Sequence, residues 1–390
     1  MSWLKAVIVV LLLVPAWSVS GQIKEEAFPL FRDDLDRDSL RRAIDRSLEF
    51  LSKIPPDRSL GELPRKFSAQ EIKESLVSFT ELLDSLDRPS DLLRKIQARF
   101  DLYAPSGDPG ADVLFTGYYE PVIEGRLSES PEFRFPVYGK PKDMIEGESV
   151  TLTPSRRVEK LVGRLEREQF VPYFSRHEID GLGSLKGKGY EIAWVKDPID
   201  LFFLHIQGSG LLRLGDGRLL HLNYDASNGR PYRSIGRVLI DRGKISAEEL
   251  SMQRLRRYLT DHPEERDSLF DQNESYVFFR IVKDGPLGNL EVSLTPGRSI
   301  ATDPMFYPKA GLAFVVAYRP LVGPDGNLIG WEPFSRFVLN QDTGGAIRGP
   351  KRVDLYFGGG DEAAQSAGYM KSLGRLYFLV KKKPGKIEKE

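Results

Sequence analysis

The chain has 390 residues, 41% hydrophobic and 29% charged, enough for two domains with their own cores and unlike a disordered composition. Its 56 Lys and Arg balance 56 Asp and Glu, which removes the global electrostatic case for a nucleic-acid binder. There is no cysteine, so disulfides, thiol nucleophiles and thiolate metal sites are excluded; the four histidines (177, 205, 221 and 262) show no paired-ligand spacing.

In chain order, Lys5 precedes an apolar run over 6–17, and the small residues Ser18 and Ser20 follow. This pattern predicts a secretory signal peptide over 1–20, cut near Ser20–Gly21, since the run falls short of the roughly 20 residues that span a bilayer; an uncleaved anchor is the alternative. No cysteine follows it to carry a lipid, so an exported, periplasmic protein is expected, with peripheral membrane association left open.

Residues 38–100 read as helical. Leu40, Ile44, Leu48 and Leu51 recur at helical spacing until Pro55-Pro56 stops the run. Ser68 and Glu71 form a capping-box pattern ahead of Ile72, Leu76, Phe79, Leu82, Leu83 and Leu86. Ser90 is placed to cap a third segment with Leu92, Leu93 and Ile96.

From about residue 112 the texture becomes short β-type runs broken by Gly, Pro and Asp-Gly pairs. Leu211–Leu214 and Leu219–Leu222 read as a hairpin around Asp216-Gly217, and a helix is expected over 247–259. Strands are predicted over 276–282, 313–318, 336–339, 352–357 and 376–380, with a turn at Asp325-Gly326. A helix is expected from a cap at Asp361 to a terminal glycine at Gly374, and a solvated tail over 383–390. Helices followed by strands imply an α+β, mainly β fold.

The chemistry concentrates in QDTGGAIRGPKRVDLYFGGGD, residues 341–361. Asp342 opens a D-T-G triplet, but an aspartic protease needs two such carboxylates sharing a proton, and the triplet occurs once. Asp354, among Val353, Leu355, Tyr356 and Phe357, suits a glycosidic acid whose pKa is raised by partial desolvation. Glycines 344, 345 and 358–360 would let a polymer approach the backbone. On residues alone, two aspartates that merely accept turn hydrogen bonds remain an open alternative.

The same segment, continued to YMKSLGRLYFLVK, is similar to the end of the membrane-bound lytic murein transglycosylase A family, whose closing module carries three aspartates. These match Asp303, Asp342 and Asp354. The likeness continues in FTGYYEPVIEG (115–125), FPVYGKP (135–141), FLHIQGSG (203–210), YDASNGRPYRSIGRVLIDRG (224–243) and NESYVFFR (273–280), covering roughly 112–382.

The resemblance implies cleavage of the β-1,4 bond between N-acetylmuramic acid and N-acetylglucosamine in peptidoglycan without water, leaving 1,6-anhydromuramic ends. It implies a double-psi β-barrel domain with N-terminal helices (21–121 and 273–382) and a smaller β-rich domain inserted over 122–272, with the glycan groove between them. Asp354 matches the catalytic acid, and a single carboxylate suffices for such chemistry. Asp342 is assigned a supporting role; Asp303 is expected to be structural or peripheral. Thr116, Tyr118 and Tyr119, with Gln207, Gly208, Ser209 and Gly210, match cleft-lining stretches; Glu120 continues the first of them where some relatives carry Thr, and Gly344 and Gly345 complete the expected glycan site. Glu120 is also open as a second carboxylate, and Gln207–Gly210 as a plain turn between strands. Tyr173, Phe174 and Trp194 are candidates for sugar stacking or for core. The expected partner is the glycan strand, bound by a monomer, with a cell-wall synthesis complex left open; no cofactor or metal motif is present. An inert wall-binding protein is the alternative from another class.

Overall fold

The computed structural model describes residues 22–24, 27–61, 65–86, 88–104, 112–151 and 157–383. The expected signal peptide, and all but the first residue of the expected tail, lie outside them. After a short strand β1 (Gln22–Ile23) come helices α1 (Arg37–Ser52) and α2 (Ala69–Asp84). Asp36 caps α1 by accepting from Ser39 N at 2.7 Å. Ser68 and Glu71 form the expected capping box on α2, an arrangement worth about 1 kcal/mol. The third helix, α3 (Leu92–Arg99), follows a 3₁₀ turn, and Asp91 rather than Ser90 stands at its start without a side-chain cap.

Strands β2 (Phe100–Tyr103) and β3 (Val113–Glu120) lead to the inserted region: β4 (Val122–Arg126), β5 (Phe135–Tyr138), β6 (Ile145–Thr151), β7 (Arg157–Glu166), β8 (Gln169–Pro172), β9 (Glu191–Val195), helix α4 (Pro198–Gln207), β10 (Ser209–Arg213), β11 (Leu219–Ser227), helices α5 (Ile235–Asp241), α6 (Met252–Asp261) and α7 (Pro263–Phe270), then β12 (Val277–Val282). The chain closes with β13 (Ser299–Ala301), β14 (Leu312–Val322), β15 (Leu328–Asp342), β16 (Arg352–Gly359), α8 (Asp361–Tyr369) and β17 (Lys371–Lys381).

Six strands form a closed barrel in the order β3, β17, β14, β15, β13, β16, since β17 pairs with both β14 and β3. Closure removes the unpaired edges an open sheet would present. The inner half of β15 is buried on both faces because α1 and α2 cover the outside of the barrel: Phe79 meets Phe337 at 4.8 Å between ring centroids. The fully buried Arg298 guanidinium ties the segment before α1 to the barrel through Asp33 (2.7 Å), Ser39 (3.0 Å) and the carbonyls of Asp36 and Phe337. Every arm of that cation is used, which is what makes its burial tolerable.

A second sheet runs β12-β11-β10-β4-β9-β5, with a core of Ile123, Val137, Leu204, Leu212, Leu222 and Phe279. A small sheet, β6-β7-β8, and the helical cluster α4–α7 flank it. Three expectations need correction. The strand over 276–282, assigned to the barrel from sequence, instead pairs with β11 at the edge of the inserted sheet. Helix α8 ends at Tyr369, and Gly374 lies inside β17, where an added Cβ would sit 2.4 Å from the Val316 carbonyl oxygen. Asp361 is the first helical residue and not the cap, which is Gly360. Among the described residues, no helix is long and apolar enough to cross a membrane.

Candidate active site

Strand β13 is three residues long and buried, and its last residue organises the site. Ala301 pairs with Asp342 on parallel β15 and with Asp354 on antiparallel β16. The two aspartates therefore flank one residue, two strand spacings or about 10 Å apart along the sheet. They make no hydrogen bond with each other, so the shared-proton geometry of a protease dyad is absent among the described residues.

On the far side of β16 runs parallel β3, with Thr116 opposite Asp354 and Tyr118 opposite Tyr356. Alternation along β3 gives Thr116, Tyr118 and Glu120 one face, and each meets a titratable partner. Thr116 Oγ1 donates to Asp354 Oδ1 in a short contact. The Tyr118 hydroxyl donates to Asp342 Oδ2 at 2.9 Å. Glu120 Oε1 lies 3.1 Å from His221 Nδ1 on β11. Gly117, between them, must be glycine: a Cβ there would come within 2.8 Å of the Ala367 backbone, where α8 presses on the strand.

Asp342 is held on all sides. Its Oδ1 accepts from the Thr343 amide at 2.9 Å and the Asn289 amide at 3.0 Å, while Tyr118 takes Oδ2. Burial nevertheless pushes its pKa up to about 6, since desolvation of the charge outweighs those donors and the negative Asp354 adds to the rise. The residue before it, Gln341, is fully buried and pinned to Ala43, Ser47 and Ser299, so α1 fixes the end of β15.

Asp354 is held lightly. Among the described residues Thr116 is the one donor within hydrogen-bond distance, and Arg352 Nε stands 3.7 Å from the same oxygen. The second oxygen, Oδ2, has no partner among the described residues, and the side chain keeps 16% of its surface exposed. Its pKa is raised by burial, against the opposing pull of Arg352 and Thr116.

A cleft of about 710 Å³ separates the barrel from the inserted sheet. Asp342, Gly344 and Gly345 line its barrel side; Gln207, Gly208 and Ser209 line the other. A smaller cavity of about 230 Å³ is lined by Thr116 and by apolar side chains of α4 and α6. Asp354 itself lines neither cavity; its donor Thr116 lines the smaller one, and Tyr232, which lines both, has a phenol on which the charges of Arg352 and Asp354 act. Sequence reasoning missed Tyr232, although it sits inside a segment, 224–243, that carried the family likeness.

The other expected residues divide. Gln207 Oε1 accepts from the Tyr119 amide at 3.1 Å, bridging α4 to β3, so its carbonyl is already engaged. Gly208, at φ 78°, is the C-cap of α4, so the 207–210 stretch is a helix stop running into β10 and not a turn between strands. The Tyr119 ring is buried against Ala363 and Ala367, and Gly210 packs under Leu204 and Pro121. Neither of these two lines a cavity described here. Glu120 does not line one either: it is closed in at the exit of β3, with a pKa raised by burial against His221. Asp303 accepts from Met305 N (3.0 Å) and Gly349 N (2.8 Å), staking down the loop after β15. Tyr173 is core and Phe174 sits under Arg164 at 3.8 Å; Trp194, partly exposed on β9, lines neither cavity. Among the described residues, no group of three or more His, Asp or Glu could hold a metal ion.

Comparison with known proteins agrees with this architecture. A family model described as the MltA specific insert domain matches residues 114–280, and one described as the 3D domain matches 298–380. The chain is 37% identical over 281 residues to the membrane-bound lytic murein transglycosylase A of Escherichia coli K12, covering 71% of this chain and 68% of that protein. The crystal structure of a membrane-bound lytic murein transglycosylase from Agrobacterium tumefaciens superimposes with a TM-score of 0.75 at 30% identity, covering 92% of this chain and 97% of that one. Escherichia coli MltA with bound chitohexaose gives a TM-score of 0.65 at 28% identity, covering 87% and 89% of the two chains.

Proposed function

The chain belongs to the membrane-bound lytic murein transglycosylase A family, and from that membership we propose the chemistry its two aspartates perform. It is a lytic murein transglycosylase, an enzyme of peptidoglycan. The glycan strand occupies the cleft between barrel and insert, as chitohexaose bound to the Escherichia coli relative supports. Acting on the wall requires export, which the leader expected over 1–20 would supply.

Asp354 is the acid and then the base. Protonated, it donates to the β-1,4 glycosidic oxygen between N-acetylmuramic acid and N-acetylglucosamine; the C1–O bond breaks and positive charge builds at C1. The resulting carboxylate takes the proton of the muramic C6 hydroxyl, whose oxygen bonds to C1 and closes the 1,6-anhydro ring. Bonds and protons balance without water, and a tethered hydroxyl has the entropic advantage over a diffusing nucleophile.

The observation that carries this reading is the contrast in hydrogen bonding: Asp354 has a raised pKa and a free Oδ2, whereas Asp342 is occupied at both oxygens. A group that must give and regain a proton needs an oxygen not already committed to donors. Asp342 keeps Tyr118 and the 343–345 loop in place beside it.

Digestion of purified peptidoglycan followed by muropeptide mass analysis tests the chemistry. Anhydro ends are lighter than hydrolytic ends by one water, and they are the expected product. Reducing ends alone would reassign the enzyme as a hydrolase; glycan binding without any cutting would make it a wall-binding protein.

A further inference from the structure

Among the described residues, four arginines line the main cleft: Arg176, Arg230, Arg280 and Arg348. A strand of neutral N-acetylhexosamines has no use for so many cations, and three of the four are engaged by the protein. Arg176 is fully buried, donating to the Asn273 and Ser275 carbonyls and to His205 Nδ1, with Asp180 at 3.6 Å. Arg230 donates to the Tyr173 carbonyl and stands within 3.9 Å of Glu178 and 3.8 Å of Glu274. Arg280 pairs with Glu291.

Arg348 is different. It is exposed on the barrel wall of the cleft, and it has no hydrogen-bond or ion-pair partner among the described residues. The carboxylates that share the cleft do not neutralise it: Asp342 is taken by Tyr118 and two amides, Glu291 by Arg280, and Asp225 on β11 forms no ion pair with it.

Its backbone is also fixed. Ile347 on one side is buried at 2% exposure, and the Gly349 amide on the other side donates to Asp303. Tyr307 donates to the next carbonyl, that of Pro350, and Asp342 caps the loop's start at Thr343. A loop staked at both ends holds out one unpaired guanidinium, three residues from Gly345, whose missing side chain leaves open space. The backbone is therefore in place when an anion arrives, and only the side chain has still to be ordered.

We infer that Arg348 is a carboxylate-binding subsite that reads the anionic substituent of the muramic acid residue as the strand lies in the cleft. This rests on the transglycosylase reading above and adds a specificity element to it. A planar guanidinium suits a carboxylate because two parallel N–H donors meet two oxygens. In peptidoglycan the carboxylate has two sources: the stem peptide, or the lactyl ether once the peptide has been removed.

Three ligands separate these cases: stem-bearing glycan strands, amidase-stripped strands, and neutral chitohexaose measured by calorimetric binding. Arg348→Ala is expected to raise KM about tenfold on at least one anionic substrate and to leave chitohexaose affinity unchanged. A loss confined to stem-bearing strands assigns the peptide carboxylates, and one confined to stripped strands assigns the lactyl group. A loss on both anionic substrates supports the shared chemistry. Arg348→Lys, which keeps the charge but not the fork, should lose about threefold. An equal change on all three ligands, or none on any, overturns the subsite. Absence of anhydro ends from the unsubstituted enzyme on every strand would sink the transglycosylase reading instead.

Discussion

Asp342 ends β15 with one oxygen between two backbone amides and the other under the Tyr118 hydroxyl. Asp354, across Ala301 on β16, has the Thr116 hydroxyl, Arg352 at 3.7 Å, and an oxygen to spare. Both carboxyls are raised by burial, so desolvation alone does not distinguish them. The number of donors does. A carboxyl with donors on both oxygens has no position left for a sugar oxygen, while one with an open oxygen can hand a proton over and take it back.

The sharpest way to break that comparison is Asp354→Asn. The amide keeps an acceptor for Thr116 but cannot donate an acid proton at the rate required, so release of anhydro-muropeptides should fall about a thousandfold with the thermal transition unchanged. Activity within tenfold of the unsubstituted enzyme would remove Asp354 from the reaction. Asp342→Ala should behave otherwise, stranding three donors and lowering stability by about 2–3 kcal/mol in urea titration, with a loss of activity that follows the disordered loop.

Asp342 also carries a pH signature. Its folded pKa, about 6, stands above an unfolded value near 4, so the folded state holds the extra proton between them. Its contribution to stability is therefore present at low pH and lost as pH rises from about 4 to about 6. Asp342→Asn should flatten that part of the stability profile; an unchanged slope would mean the carboxyl titrates as if solvated.

Arg352 bears on the other carboxyl. Its charge lowers the pKa of Asp354 against the larger effect of burial. Activity that needs a protonated acid declines as pH rises through that pKa. Arg352→Gln should move the alkaline limb of kcat/KM upward by about one pH unit. A drop in rate at every pH with no movement of the limb would mean that Arg352 only packs.

Much of this was legible in the chain. Helical spacing and the Ser68–Glu71 box located α1 and α2, because amphipathic period and capping are local properties. Asp354 stood out because a charged residue in strand-like company is costly, and Asp342 because it opens a D-T-G triplet. What could not be read was partnership across the sheet. That Thr116 serves Asp354 and Tyr118 serves Asp342 depends on β3, more than two hundred residues earlier, lying parallel to β16, a register no local pattern encodes. Strand β12 was misassigned for the same reason: alternation says strand, not which sheet. Helix α4 escaped notice because Leu201 to Leu204 is apolar on every side, which hides a helical period; the Asp197 cap, Pro198 and Gly208 were its local marks.

The smallest expected effect concerns Glu120, the one other carboxyl on the Thr116–Tyr118 face of β3. If it were a second catalytic carboxylate, some strands would be cut by water. The geometry argues against that role: its side chain is 4% exposed and its oxygen, 3.1 Å from His221, is already engaged. It stands where the chain leaves the barrel at Pro121, and His221 lies on the inserted sheet beside the returning segment at Gly285. The pair thus joins the two domains at their crossover. Glu120→Gln retains an acceptor for the imidazole, so stability should fall by about 1 kcal/mol and the products should stay wholly anhydro. A change in the ratio of anhydro to reducing ends, at unchanged stability, would move Glu120 from the joint into the chemistry.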